Sequence, residues 1–338
     1  MKTKLLGVSD DDIAYAGKII SSGGLVGMPT ETVYGLAGNA LDGECVKKIY
    51  AAKGRPSDNP LIVHISSFSE WSPLVSEIPE NAKKLAEAFW PGPLTIILKK
   101  SSLIPDETSG GLDTVAVRMP SDINARRLIE SAKVPIAAPS ANISGKPSPT
   151  TAQHVMNDLD GKIEAVIDGG ECNVGVESTV ISLAVNPPRL LRPGGITPEM
   201  LESVLGEIEI DDAVYNKLRD GVKASSPGMK YKHYSPAARV ILLKGSFDDY
   251  KKYIYEHKTE KTVALCFDGE EAALSVRCLP YGRENDSLSQ AQHIFSALRQ
   301  ADELGADTVY ARYPERTGVG LAVYNRLIRA AAFEVIEL

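Results

Sequence analysis

Apolar and polar positions alternate along the first two hundred residues with two different periods. Short apolar runs predict strands, and the segments between them have the spacing of amphipathic helices. Some of the predicted strands follow one another directly, so the pattern predicts a twisted mixed sheet with helices, not a purely parallel one. The predicted strands are 25–28, 61–65, 94–98, 114–118, 136–138, 165–167 and 178–182. The predicted helices are 10–22, 43–52, 79–89, 122–132, 150–158 and 197–205.

A change in this pattern divides the chain. Residues 207–237 have little periodicity and contain a cluster of prolines, lysines and tyrosines. The alternation then resumes, with strands at 239–244, 262–267, 276–280 and 307–311 and helices at 247–257, 287–304 and 319–332. We therefore expect a first domain at 1–205, a linker at 206–237 and a smaller, Rossmann-like α/β domain at 238–338.

Composition narrows the class of protein. The 338 residues are 43% hydrophobic and 24% charged, which is typical of a globular chain of roughly two domains. The net charge of −7 disfavours nucleic-acid binding as the main activity, so a tRNA contact would be local and transient. The four cysteines form no C-x-x-C pair, which favours free thiols over a zinc site. No apolar run is long enough for a signal peptide or a membrane span, so we expect a cytoplasmic protein with no membrane partner.

Several common catalytic signatures are missing from the sequence. It has no G-x-x-x-x-G-K-[ST] loop, no G-x-G-x-x-G opening a helix after a strand, and no G-x-S-x-G. A nucleotide bound by this chain would therefore be held by another arrangement.

Two motifs near the N-terminus offer polar groups at strand ends. Residues 29–36, P-T-E-T-V-Y-G-L, follow a predicted strand and could present hydroxyl and amide groups to a ligand, or form a capped turn. Lys53 and Arg55 lie in K-G-R-P at the end of a predicted helix. These two cations could converge on one anion, or interact with the negative end of the helix dipole.

Three further motifs repeat this arrangement. Residues 138–145 (A-P-S-A-N-I-S-G) combine small residues with Ser140 and Asn142 at a strand end, where ligands bind in open α/β sheets. Residues 175–180 (G-V-E-S-T-V) and 191–194 (L-R-P-G) place further small polar or cationic groups beside strands.

In this order, the motifs P-T-E-T-V-Y-G-L, K-G-R-P with N-P-L, S-A-N-x-S-G, E-S-T-V and L-R-P-G resemble the YrdC-like domain of the threonylcarbamoyl-AMP synthases. The resemblance covers about residues 10–205. The segment S-P-G-M-K-Y-x-H-Y and the second α/β domain are similar to the long form of that family. The resemblance implies a twisted mixed sheet with a deep concave face.

The resemblance also implies an activity. Family members make L-threonylcarbamoyl-adenylate from L-threonine, bicarbonate or CO2, and ATP, and release pyrophosphate. The product supplies the threonylcarbamoyl group placed on adenosine 37 of tRNAs that read codons beginning with A. Mg²⁺ is expected on the ATP phosphates, with no metal held by the protein itself and no tightly bound organic cofactor. The expected protein partner is the downstream threonylcarbamoyl-transferase machinery.

Matching the motifs residue by residue assigns roles to individual side chains. By resemblance, threonine would be bound by Thr32, His64, Arg118, Ala138 and Ser178. ATP would be bound by Lys53, Arg55, Asn59, Thr114, Ser140, Asn142, Ser148, Arg192 and Tyr231. Lys53, Arg55 and Arg118 would also be catalytic, because their charges offset the repulsion among three anionic reactants. No covalent protein nucleophile is needed, since the carbamate itself attacks the α-phosphate.

The predicted linker could also take part in the reaction. Its Gly228, flanked by Pro227 and Pro236, predicts a bent segment, and Tyr231 and its neighbours give that segment a cationic and aromatic surface. We expect it to cover the cavity as a lid that keeps water from the reactive adenylate, although an ordinary tether is the alternative.

Three rival functions remain to be compared. An RNA-binding module is disfavoured by the acidic charge. Carbamoyl transfer in hydrogenase maturation uses a related domain, but those proteins carry zinc-finger cysteine pairs that are absent from this sequence. A scaffold with an inactive site is disfavoured by the complete K-x-R and S-x-N motifs.

Overall fold

A computed structural model describes residues 2–217 and 234–338. The first part of the chain forms a sheet flanked by helices. Its strands are β1 (Lys4–Leu6), β2 (Val26–Met28), β3 (Gly35–Asn39), β4 (Ile62–His64), β5 (Leu94–Lys99), β6 (Thr114–Arg118), β7 (Ile136–Ala137), β8 (Ala165–Ile167), β9 (Thr179–Ser182), β10 (Arg189–Arg192) and β11 (Glu209–Ile210). Its helices are α1 (Asp10–Ser21), α2 (Gly43–Lys53), α3 (Glu80–Phe89), α4 (Asp106–Ser109), α5 (Ile123–Ala132), α6 (Ala152–Leu159) and α7 (Pro198–Leu205).

The strand order of this first sheet brings distant motifs together. Within the described residues the order is β1-β8-β2-β3-β7-β4-β6-β5-β9-β10-β11. The pairing is mixed: β4 runs parallel to β6, whereas β7 runs antiparallel to both β3 and β4. The predicted mixed sheet is therefore confirmed, and the motif-bearing strands lie side by side.

Local sequence explains where the helices begin. Asp122 accepts hydrogen bonds from the backbone N–H groups of Asn124 and Ala125 at the start of α5. Thr197 caps α7, whose first residue is Pro198. Both arrangements satisfy N–H groups that have no partner within the helix, and proline suits the first turn because it lacks an N–H group.

The second part of the chain is a smaller α/β domain. It contains β12 (Arg239–Lys244), α8 (Phe247–His257), β13 (Thr262–Cys266), β14 (Arg277–Pro280), α9 (Ser287–Glu303), β15 (Thr308–Arg312), α10 (Gly320–Ala330) and β16 (Val335–Glu337). Its five strands are all parallel, in the order β14-β13-β15-β12-β16. The predicted second domain of Rossmann-like character is confirmed.

Several local features differ from the sequence prediction. The strand β3 occupies residues predicted as a turn, and β1, β11 and β16 were not predicted. Because β11 pairs with β10, part of the predicted linker 206–237 extends the first sheet. The bounds of the three segments otherwise stay a prediction.

Other expectations concern single side chains and the membrane. Cys45, Cys172 and Cys266 are buried free thiols, and Cys278 is half-buried. Trp71 and Trp90 are buried against each other, with ring centroids 4.7 Å apart. No helix of the described residues combines the length and apolarity needed to cross a bilayer.

The two domains pack closely, and Gly175 marks the tightest approach. Its φ of +78° lies in the left-handed region, and a Cβ atom there would lie 2.3 Å from Gln292 Cα and 2.4 Å from Ala291 O. Those atoms belong to the backbone of α9, so they cannot move aside as a flexible side chain could. Glycine at this position therefore allows α9 to dock against the first domain.

We expect Gly175→Ala to lower the free energy of unfolding by about 2–5 kcal/mol, because it adds both backbone strain and a steric clash. The matched control is Gly305→Ala, since Gly305 also has positive φ (+64°) but no atom within 4 Å of its Cβ position. Strain alone should cost the control about 1–2 kcal/mol. Urea denaturation of the full chain measures both, and equal losses would contradict the role of close packing.

Candidate functional site

A cleft at the first sheet gathers most of the sequence motifs. Its empty volume is about 570 Å³, part of which is open solvent. The lining comes from β3, β4, β6 and β10, from the loops after β2 and β7 and before β9, and from the segments that contain Arg55 and Tyr234. The lining residues are Thr30, Thr32, Val33, Gly35, Arg55, Ile62, His64, Arg118, Ala138, Pro139, Ser140, Glu177, Ser178, Arg192 and Tyr234.

The turn after β2 presents hydroxyl groups to this cavity. Thr30 Oγ1 accepts hydrogen bonds from the backbone N–H groups of Thr32 and Val33, at 3.2 and 3.3 Å, and donates to Val33 O. The same oxygen lies 2.9 Å from Thr32 Oγ1. The turn is thus fixed by its own side chain, and the predicted ligand-contact residue Thr32 is held in one orientation.

Arg118, at the end of β6, faces this turn. Its NH1 donates to Thr32 Oγ1 at 2.9 Å, and its NH2 lies 2.8 Å from Glu31 Oε1. Both charged side chains are buried, with 4% and 8% of their area exposed. Burial acts to raise the pKa of Glu31, but Arg118 lowers it overall, so the carboxylate stays ionised. Glu31 therefore supplies the counter-charge for Arg118, a role that the motif match did not assign.

His64, at the end of β4, is neutral. Burial first, and the neighbouring charge of Arg118 second, lower its pKa to about 3. Its Nδ1 lies 3.2 Å from Ile62 O, a contact that favours a proton on Nδ1 and leaves Nε2 as an acceptor. His64 therefore offers an uncharged polar group beside Arg118.

Arg55 and Asn59 lie in the loop after α2. Arg55 NH2 donates to Pro60 O at 3.2 Å, while Arg55 Nε is buried without a hydrogen-bond partner among the described residues. The side-chain amide atoms of Asn59 are likewise buried and unpartnered there. Burial lowers the pKa of Arg55 to about 10. Unsatisfied buried donors of this kind are expected where a ligand supplies the missing acceptors.

Lys53 lies behind the cavity wall and does not line it. Its side chain is only 2% exposed, and its Nζ donates to the backbone carbonyl oxygens of Ser140 and Asn142, the latter at 2.6 Å. Burial, and then the nearby Arg55, lower the pKa of Lys53 well below its usual value. In this structure Lys53 fixes the loop after β7, so that Ser140 faces the cavity.

Ser178 and Arg192 form the opposite wall. Ser178 Oγ lies 2.7 Å from Thr95 Oγ1 and accepts from Arg192 NH2 at 3.1 Å. Arg192 Nε donates to Ser178 O at 3.0 Å. Burial lowers the pKa of Arg192. Two nitrogen atoms of the guanidinium are thus bonded to Ser178, just before β9.

Glu177 contributes a carboxylate to the cavity lining, and the sequence motif assigned it no role. One oxygen accepts from Ser148 Oγ, and the other lies 2.7 Å from Arg326 Nε, in the second domain. Ser148 therefore donates a hydrogen bond to Glu177 and does not line the cavity itself. Arg326 lies in the predicted helix at 319–332, and no sequence motif indicated that it belongs to the site.

The predicted site residues therefore separate into three groups. Thr32, Arg55, His64, Arg118, Ala138, Ser140, Ser178 and Arg192 line the cavity. Lys53, Asn59, Asn142 and Ser148 are buried in or behind its walls. Thr114 lies apart, in a second depression on the same sheet shared with Ile97 and Leu191. Tyr231 lies outside the described residues. The ligand roles of all these residues stay predictions.

The neighbouring Tyr234 shows that the linker motif reaches the cavity. It lines the cavity with 4% of its area exposed, and its backbone has a φ of +64°. Ser235 N donates to Gly145 O at 2.9 Å and Ser235 Oγ donates to Ala330 O at 2.7 Å, which ties this segment to both domains. Tyr234 is the last residue of the S-P-G-M-K-Y-x-H-Y segment, so the sequence contained a signal that could have identified it.

The donors in the cavity suit an anion better than a bare metal ion. The lining contains Arg55, Arg118 and Arg192, against the single carboxylate Glu177, which is already paired with Arg326. The described residues hold no group of three or more His, Cys, Asp or Glu side chains that could bind a metal.

Comparison with known proteins identifies the family. Residues 18–194 match the Sua5–YciO–YrdC family model, described as telomere recombination, and residues 196–332 match the model described as threonylcarbamoyl-AMP synthase, C-terminal domain. The chain is 52% identical to the threonylcarbamoyl-AMP synthase of Pyrococcus abyssi, over 96% of each chain. It is 46% identical to the protein of that name from Bacillus subtilis, over 99% of this chain and 97% of the relative.

The solved structures agree with this match. The crystal structure of P. abyssi Sua5 complexed with L-threonine superimposes with a TM-score of 0.93 at 50% identity, covering 99% of this chain and 100% of that one. Escherichia coli YciO, at 22% identity and a TM-score of 0.52, shares the fold over 57% of this chain. By both its domains and its full-length relatives, this chain belongs to the threonylcarbamoyl-AMP synthase family, in which a Sua5–YciO–YrdC domain is followed by the family's own C-terminal domain.

Proposed function

We propose that this chain synthesises L-threonylcarbamoyl-AMP and pyrophosphate from L-threonine, bicarbonate or CO2, and ATP. The reaction is a nucleotidyl transfer and the first step of N6-threonylcarbamoyladenosine formation in tRNA. The full-length relatives named threonylcarbamoyl-AMP synthase support this activity. The observation that carries the proposal is the convergence of three guanidinium groups on one cavity.

The positive charge of those three groups indicates that the ligand is anionic. Arg118 and Arg192 are 4% and 7% exposed, and the buried Nε of Arg55 has no hydrogen-bond partner among the described residues. Arginine stays protonated in proteins, so burial cannot be relieved by loss of the proton. Burial lowers the pKa of Arg55 and of Arg192, because both cations are removed from water. Anionic reactants would interact favourably with both.

We assign the threonine subsite to the turn after β2. Arg118 would bind the carboxylate, while Thr32 and neutral His64 offer hydrogen-bonding groups of the size needed for the hydroxyl and amine. The glycine and alanine at positions 35 and 138 leave room for a small substrate. The L-threonine complex of the P. abyssi protein supports binding of this amino acid in the family.

We assign the triphosphate to Arg55, Arg192 and the Ser140 loop, with Asn59 and Asn142 as further donors and Lys53 bracing the loop. The adenosine would extend along the sheet toward Thr114. Mg²⁺ is proposed as part of the ATP substrate, where it neutralises phosphate charge. No protein ligand set for it is proposed.

Catalysis of this reaction depends mainly on positioning the reactants and does not need a protein nucleophile. The amine of threonine attacks the carbon of CO2 and loses a proton, which forms a carbamate. A carbamate oxygen attacks the α-phosphorus of ATP, and the bond from that phosphorus to the bridging oxygen of pyrophosphate breaks. The arginines reduce repulsion between the anions, and holding the reactants together can supply on the order of 7–11 kcal/mol. Tyr234 at the cavity supports the predicted lid.

The product is a reactive mixed anhydride, so it must pass quickly to a transferase. We therefore propose a threonylcarbamoyl-transferase complex as the partner and a cytoplasmic location, where ATP and tRNA are available. Contact with tRNA itself is proposed to be transient.

Pyrophosphate release tests the activity. We expect release with ATP, threonine and bicarbonate together, and a loss of at least tenfold when threonine or bicarbonate is omitted, because the nucleophile is then missing. A coupled phosphate assay and mass detection of the adenylate measure it. Undiminished release without threonine would mean that another ATP-dependent reaction takes place.

Arg118→Lys tests the threonine subsite. Lysine cannot keep both the Thr32 and the Glu31 contacts of the planar guanidinium, so we expect the KM for threonine to rise about 10–100-fold, corresponding to about 1.4–2.7 kcal/mol, with little change in the KM for ATP. The control is Arg127→Lys, whose partner Asp10 is fully exposed. An equal rise in both KM values would argue against a threonine-specific role.

The low pKa of His64 predicts a pH dependence of stability. The folded state holds His64 neutral down to about pH 3, whereas the unfolded chain binds a proton near pH 6.5. The contribution of His64 to the free energy of unfolding is therefore complete above pH 6.5. It falls as the pH is lowered, by about 2 kcal/mol between pH 7.5 and pH 5.0. His64→Gln should remove that part of the slope.

Urea unfolding at the two pH values measures this difference. His257→Gln, at the exposed end of α8, is the control and should keep the wild-type slope. His154, whose pKa is lowered to about 4 by burial, contributes to the slope in the wild type and in both variants, so His64→Gln should reduce the slope without abolishing it. An unchanged slope in His64→Gln would show that His64 is protonated in the folded protein.

A further inference from the structure

Thr95 lies on β5, directly behind the wall of the cavity. In the sheet, β5 lies between β6, which ends at Arg118, and β9, which begins directly after Ser178. Side chains two residues apart on a strand share a face, and Ile97 packs with the cavity-lining Ile62. The side chain of Thr95 is therefore on the cavity side of the sheet. It is completely buried and does not line the cavity, and no motif assigned it a role.

One short contact connects Thr95 to the cavity. Its Oγ1 lies 2.7 Å from the Oγ of Ser178, which lines the cavity. Among the described residues, Ser178 is the only hydrogen-bond partner of the Thr95 hydroxyl. Ser178 Oγ also accepts a hydrogen bond from Arg192 NH2 at 3.1 Å. The two hydroxyl groups therefore share one contact, in which either oxygen could be the donor.

The hydrogen-bonding capacity of the two hydroxyl groups distinguishes these two directions. Each hydroxyl has one hydrogen to donate and two lone pairs that accept. If Ser178 donated to Thr95, the Thr95 hydrogen would be enclosed in the protein without an acceptor, which is costly. If Thr95 donates to Ser178, the Thr95 hydrogen is satisfied and both lone pairs of Ser178 are occupied, one by Thr95 and one by Arg192. The hydrogen of Ser178 then points into the cavity, where a ligand can accept it.

We propose that Thr95 is a positioning residue of the active site, whose hydroxyl orients Ser178 as a hydrogen-bond donor to an oxygen atom of L-threonine. Carboxylate oxygens accept such a bond strongly, because the acceptor carries a charge. The inference rests on the proposed function, since it takes L-threonine as the ligand that Ser178 contacts. It adds a residue from outside the motifs and gives Ser178 a defined role as donor.

Thr95→Val tests the inference, because valine has nearly the shape of threonine and lacks the hydroxyl. Ser178 then loses the contact that fixes its hydrogen, so we expect the dissociation constant for L-threonine, measured by calorimetry, to rise about three- to tenfold. Thr95→Ser keeps the hydroxyl and should bind threonine within about twofold of wild type. If the valine variant does not fold, Thr95→Ala compared with Thr95→Ser measures the same loss of the hydroxyl.

A double-mutant cycle with Ser178→Ala separates orientation of Ser178 from packing of β5. Ser178→Ala should weaken threonine binding at least as much as Thr95→Val does, because it removes the donor itself. Adding Thr95→Val to Ser178→Ala should change the dissociation constant by less than about twofold, since no hydroxyl is left to orient. A role of Thr95 in packing alone predicts the same loss of affinity in both backgrounds.

Thr3→Val is the matched control. Thr3 is also a buried threonine, beside β1 at one edge of the same sheet. Its Oγ1 donates to Ile163 O at 2.7 Å and accepts from Gly161 N at 2.9 Å, and neither partner lines the cavity. We expect Thr3→Val to lower the melting temperature at least as much as Thr95→Val, but to leave threonine affinity within about twofold of wild type.

Four results would each overturn the inference. They are unchanged threonine affinity in Thr95→Val, an equal effect of Thr95→Val with and without Ser178→Ala, a loss in Thr95→Ser as large as in Thr95→Val, and an equal loss in Thr3→Val. Failure of the proposed function gives a different result. Wild-type protein that binds L-threonine but releases no pyrophosphate with ATP and bicarbonate would contradict the proposed reaction and leave the comparison of affinities intact.

Discussion

The burial of several guanidinium groups around one cavity is the constraint on which the arrangement of both domains depends. Arg118 and Arg192 lie at strand ends of the first sheet, and Arg326 comes from the second domain with no exposed area. Removing like charges from water is costly unless each has a nearby anion or a full set of acceptors. The fold meets this requirement unevenly. Glu31 lies against Arg118 and Glu177 against Arg326, whereas the buried Nε of Arg55 has no hydrogen-bond partner among the described residues.

The mixed sheet explains how residues so distant in sequence share this cavity. Strand β7 inserts between β3 and β4, and β6 follows β4 in the sheet, so the loops carrying Thr32, Ser140, His64 and Arg118 meet at one place. A purely parallel arrangement in chain order would separate them. The antiparallel pairing of β9 with β10 then brings Ser178 beside Arg192 on the opposite wall.

Much of the fold could be predicted from apolar runs such as 94–98 and 114–118, because their length and β-branched residues favour strands. Strand β3 was missed because Gly35, Gly38 and Asn39 disfavour strands locally, and only pairing with β2 and β7 stabilises it. Strand order was also beyond prediction from one sequence, since it depends on contacts between distant segments. The motif order predicted which loops form the site, and eight of the residues that it named line the cavity.

Motif matching could not distinguish a residue that faces the ligand from a residue that stabilises the cavity wall. Lys53 and Ser148 belong to the motifs, yet in this structure one donates to backbone carbonyl groups and the other to Glu177. Arg326 belongs to no motif, because its helix has a regular amphipathic pattern and its polar residues resemble a solvent-facing side. Only the docking of the second domain turns that side inward. Because Arg326 of the second domain contacts Glu177, which lines the cavity of the first, the two domains are expected to act as one functional unit.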